Sequence, residues 1–147
     1  MTVGSPDHVR LSDDAHSRYT WKWNIKGPTN LPDGVTVTLF DIDFEGVLAA
    51  ITCWTDYKST VYQIFVDGVL IMDFWPEWIF EYWMLRNPGC GMDIVGISRY
   101  DEVNDIYNLW WQSHFKCYVK NNIKVTAKQD SGAPQTAKIT SITYLKR

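Results

Sequence analysis

Asp67-Gly68 stands between two apolar runs, Ser59 to Val66 and the run that opens at Val69. A two-residue connection of this kind is built by a type I′ turn, which needs positive φ at both central positions and so selects Asn, Asp and Gly. The dipeptide predicts a β-hairpin. It also sets the pattern of the chain, because comparable turn signals recur about every 8 to 12 residues, the spacing of a sandwich built from short strands.

The segments between those signals are rich in β-branched and aromatic residues, which suit a pleated surface. Tyr19, Trp21, Trp23 and Ile25 alternate with Thr20, Lys22 and Asn24, the period-two pattern of a strand with one buried face. Gly27-Pro28 ends it. After the Leu31-Pro32-Asp33-Gly34 turn, Val35, Val37 and Leu39 share one face and Phe40, Ile42 and Phe44 the other. The apolar phase therefore flips between Leu39 and Phe40, and a bulge or bend is predicted there. Gly46 to Thr55 and Ser59 to Val66 are near-continuous apolar runs that read as strands buried on both sides.

Pro76, with Glu77 and Glu81 one turn apart and an Asn87-Pro88-Gly89 stop, predicts one helix of about three turns. Met92 to Arg99 and Val103 to Trp111 read as strands joined by the acidic turn Tyr100-Asp101-Glu102, with Phe115 to Val119 continuing after a break. Ile123 to Ala127 and Lys138 to Leu145, separated by the turn Gln129 to Pro134, read as a closing hairpin. The fold class expected is all-β: an antiparallel β-sandwich, jelly-roll-like in strand count, with one short helix. Residues 1–17 are polar and lack either period, so they are expected to form a flexible N-terminal arm, leaving 18–147 as a single sandwich domain.

A chain of 147 residues buries close to 70% of its unfolded surface, enough for a core without disulfides or metal. Lys and Arg total 14 against 17 Asp and Glu, a net charge of −3. That balance lacks the basic excess of a phosphate-backbone binder, and no apolar run reaches the length of a membrane-spanning helix. Neither nucleic acid nor membrane insertion is expected. Residues 1–17 carry no basic region followed by an apolar stretch and a cleavage site, so maturation in a cytosol is the expectation. Cys53, Cys90 and Cys117 have no knuckle or redox-pair spacing; they read as reduced thiols, with Cys90, between two glycines, the more reactive.

Asp41, Asp43 and Glu45 lie at i, i+2 and i+4, so in a strand their carboxylates share a face. They are the candidate cation ligands, the plain alternative being a solvated strand face that discourages edge pairing. Asp101, Glu102 and Asp105 form a second acidic group, at a turn where Asp is favoured for local hydrogen bonds. His114, beside Ser113 with no acidic neighbour, makes no triad pattern, and no phosphate loop or nucleophile elbow is present. No catalytic residue and no cofactor are assigned.

The chain carries 8 Trp, 8 Tyr and 6 Phe, far more aromatic surface than one small core readily shelters. Trp110 and Trp111 are adjacent in a predicted strand and must point to opposite faces. On the expected helix, aromatic residues wrap most of the circumference. Trp78, Phe80, Tyr82, Trp83, Trp110 and Trp111 are therefore the candidate interface residues, since Trp and Tyr serve as anchors between proteins. Trp21, Trp23 and Trp54 are the candidate sugar-stacking residues of a competing reading, a carbohydrate-binding β-sandwich module or virion adhesin.

The layout of Phe44-Glu45-Gly46-Val47-Leu48, the Phe65-Val66-Asp67-Gly68 hairpin, the aromatic helix, Arg99-Tyr100-Asp101-Glu102-Val103 and the closing Ile123-Lys124-Val125 and Ile142-Thr143-Tyr144 segments resembles small β-sandwich proteins of virus and phage particles, over residues 19–147. The resemblance implies a non-enzymatic capsid, decoration or tail component. It also implies a symmetric homo-oligomer that contacts another structural protein, located in a virion assembled in the host cytoplasm.

Overall fold

Antiparallel pairing nested around the Asp67-Gly68 turn generates the topology. The structure is a computed structural model describing residues 19–81 and 93–147, without the side chains at 93, 94 and 114–116. Among these residues the elements are β1 (Thr20–Lys26), β2 (Thr29–Leu31), β3 (Val37–Asp43), β4 (Gly46–Thr55), β5 (Val61–Val66), β6 (Val69–Phe74), α1 (Pro76–Ile79), β7 (Asp93–Asp101), β8 (Ile106–Val119), β9 (Asn122–Lys128) and β10 (Gln135–Lys146). Asp67 and Gly68 take φ of 50° and 81°, as the turn type requires, and join β5 to β6. Outward along the two arms, β4 pairs β8, β3 pairs β9 and β1 pairs β10. Rolling this long hairpin adds the β10–β4 and β5–β9 ladders.

Two sheets result. One has six strands in the order β1-β10-β4-β8-β7, with β2 also beside β10; the other has four, β3-β9-β5-β6. Without β2 and β7 this is an eight-strand jelly roll, an antiparallel sandwich whose two Greek keys come from the folded hairpin. The inward faces meet in one apolar cluster that includes Ile51, Ile64, Phe74, Trp111, Val125 and Ile142. Leu39 and Phe40 are consecutive yet both buried, because the β3–β9 register shifts between Thr38 and Phe40. This is the expected bulge.

Other expectations are corrected. Ile123–Ala127 and Lys138–Leu145 do not form a hairpin, since β9 and β10 belong to opposite sheets. Their connection crosses the end of the sandwich, and Gln129, buried there, donates through Nε2 to the Leu31 and Ala133 carbonyls at 2.8 Å each. β4 and β5 are not buried on both sides: residues on their second faces are half-buried or, like Thr52, exposed, because no layer among the described residues lies outside either sheet. β7 runs through Asp101, moving the acidic turn to 102–105. The break expected before Phe115 is a slip in the β4–β8 ladder, where Leu48 and Ala50 face Cys117 and Gln112.

Pro76 opens α1 as expected, with Ile79 buried beneath it. The rest of the expected helix, from Tyr82, and the 1–17 arm lie outside the described residues. The largest correction concerns β1. Every residue of this strand is exposed, because the six-stranded sheet is wider than its partner and β1 lies in the overhang.

Candidate functional site

Register assigns the aromatic residues of the six-stranded sheet to its two faces. Trp111 stands opposite Ile51 and Val95 and is 0% exposed. It belongs to the core and is removed from the interface set. Its neighbour Trp110 faces outward, opposite Thr52 on β4 and Gly96 on β7. The indole lies across Gly96 so closely that a Cβ there would run into Cζ2, Cε2 and Nε1 of the ring.

Trp54 is on the same outer face, between Asn108 of β8 and Ile139 of β10. Trp54, Trp110, Thr52, Ser98, Asn108 and Ile139 line a shallow groove of about 200 Å³. Two buried polar atoms of its lining residues, Nε1 of Trp54 and Oδ1 of Asn108, have no hydrogen-bond partner. Ser98 Oγ donates to the Asn108 carbonyl at 3.3 Å, and the Thr52 and Ser141 hydroxyls are hydrogen-bonded to each other.

On β1, Trp21 and Trp23 are each 64% exposed and Ile25 53%. Opposite Leu145, Thr143 and Ser141, they project to the outer face as well. One row of that face runs Trp21, Leu145, Val47, Tyr118 across four strands. The candidate sugar-stacking residues Trp21, Trp23 and Trp54 thus share a face with Trp110. Period-two alternation was present in the sequence for β1; that both of its faces lie open was not.

Of the candidate interface residues near α1, Trp78 and Phe80 are partly covered by their own chain. Phe80 stacks on Tyr100 with ring centroids 4.1 Å apart, Tyr100 meets Tyr107 edge-on at 5.1 Å, and Trp75 and Trp78 contact each other at 5.6 Å. Trp78 also packs against the core. Burial, with the hydrogen bond that its hydroxyl donates to Glu102 Oε1 at 2.9 Å, raises the Tyr100 pKa above the ordinary tyrosine range. Tyr82, Trp83 and Cys90 lie outside the described residues, as does the side chain of His114.

The acidic candidates are engaged in structure. Asn122 Nδ2 donates to Asp41 Oδ1 at 2.7 Å and Asp43 Oδ1 at 2.8 Å. Glu45 accepts from Arg147 at 3.1 Å instead of joining them. One neutral amide therefore occupies the place between the two aspartates where a cation was considered. Asp101 holds the turn after β7: Asn104 donates to it from both side chain and backbone, and with Arg99 and Val103 lowers its pKa to about 2. Cys53 is buried, which pushes its thiol well above the usual range and makes it unreactive as a nucleophile. Cys117 is half-buried on β8 against the core.

No known protein family matches this chain, and no curated protein sequence shows significant similarity to it.

Proposed function

We propose that the chain is a non-enzymatic structural subunit of a virion-like assembly, a capsid, decoration or tail component that joins copies of itself through β1. The observation that carries this reading is β1: a seven-residue strand at the sheet edge, exposed along its whole length, with two tryptophans and an isoleucine on one face. A long apolar edge of this kind is a template for pairing with another chain. The jelly-roll order supports the reading in part only, since viral capsid domains, lectins and cupins share it.

A symmetric pair requires a strand that matches itself. With a two-fold axis through Trp23, antiparallel β1 strands place Trp23 against Trp23 and Trp21 against Ile25 on the outer face. Lys22 then meets Asn24, and Lys26 meets Thr20, on the other. No lysine faces a lysine, and aromatic and aliphatic cross-strand pairs of this type are favourable. A second structural protein of the particle is the further partner in this reading.

Size-exclusion chromatography with light scattering tests it. The wild type is expected to elute as an oligomer, and a Trp21→Glu/Trp23→Glu variant as a monomer that still unfolds cooperatively, because neither side chain enters the core. A wild type that stays monomeric at high concentration overturns the reading.

A further inference from the structure

The groove between Trp54 and Trp110 has chemistry that assembly through β1 does not use. It lies inward from the sheet edge, on β4, β8 and neighbouring strands, so edge pairing leaves it open. We propose that it binds one ring of a neutral saccharide. Four features select that ligand class.

The residues lining the groove carry no charge; Arg99, next to the lining residue Ser98, is held by Asp101 at 3.1 Å. Phosphate, carboxylate and ammonium groups therefore find no counter-charge there. Two indoles, those of Trp54 and Trp110, line it, and the Trp110 ring packs across Gly96. An indole offers a π face to an apolar ring surface such as the C–H face of a pyranose. Its lining residues carry one unpartnered donor, Trp54 Nε1, and one unpartnered acceptor, Asn108 Oδ1, on residues directly opposite in register.

A hydroxyl is donor and acceptor at once, so a polyhydroxylated ring satisfies both atoms, whereas a purely apolar ligand leaves both unmade. The groove volume, about 200 Å³, is below the roughly 300–1,000 Å³ of drug-sized sites and suits a single ring of a longer chain that extends over the open sheet face.

The test is titration of the full chain with lactose, cellotetraose and mannotetraose, followed by tryptophan fluorescence and calorimetry. At least one of these probes is expected to bind and to perturb the fluorescence. Asn108→Ala and Trp110→Ala are each expected to weaken binding about tenfold. Trp110→Phe, which keeps an aromatic ring over Gly96, guards against loss of fold and is expected to weaken binding less. The Trp21→Glu/Trp23→Glu variant is expected to retain the binding of each subunit, so failure of this inference is distinguishable from failure of assembly. No binding of any of the three sugars, or binding unaffected by the Asn108 and Trp110 substitutions, overturns the proposal.

Discussion

Gly96 and Trp110 are legible separately in the sequence but not as a pair, because they are fourteen positions apart and meet only through the β7–β8 register. An added methyl at residue 96 has to displace an indole. Gly96→Ala is therefore expected to cost about 1–3 kcal/mol, as overpacking does, in urea unfolding. The same change made in a Trp110→Ala background is expected to cost much less; equal costs in the two backgrounds would refute the contact as the cause. Adjacency told more about Trp110 and Trp111, since strand geometry alone sends them to opposite faces. Which one was buried depended on the sheet that packs on β8, and that information is not local. The fate of Asp41 and Asp43 was hidden for a similar reason: their partner, Asn122, is about eighty residues away.

At the scale of elements, the β5–β6 turn does more than reverse the chain. The Asp67 carboxylate accepts the backbone N–H groups of Lys120, Asn121 and Asn122 at 2.9, 2.7 and 2.9 Å, tying this turn to the one between β8 and β9. Those bonds, Asn122 first, lower the Asp67 pKa. A carboxylate whose folded pKa is depressed stabilises the fold fully above its unfolded value of about 3.9, and that contribution is lost as pH falls through the folded pKa. Asp67→Asn keeps a side chain that tolerates positive φ and one acceptor oxygen. It is expected to be less stable than wild type at neutral pH, with the gap closing below about pH 4; a pH-independent gap in urea melts would exclude the carboxylate as its source. The hairpin itself was readable because Asp-Gly encodes its turn locally. The false β9–β10 hairpin shows the limit: alternation identifies two strands and a turn, but nothing in Gln129 to Pro134 states that the next strand enters the opposite sheet.

For the molecule as a whole, the strand count and sandwich class follow from short alternating segments, while strand order depends on pairings between distant residues. β1 and β10 lie at opposite ends of the described chain and still share a ladder. Folding dominated by such pairings is slow, in the millisecond-to-second range typical of all-β domains. Stopped-flow refolding followed by tryptophan fluorescence is expected to fall there, and completion within microseconds would contradict the nested topology. The candidate site was legible as an excess of indole, but its place was not, because which face of the six-stranded sheet packs on the other sheet decides which tryptophans remain uncovered. The overhanging strand has a further consequence. Fastened along a single side and absent from the interior, β1 is expected to detach at low free energy, with early amide exchange. Once it peels away, β10 is left with an empty lane that accepts the equivalent strand of a neighbouring molecule, so the seven residues that join two subunits side by side also suit them to trade places.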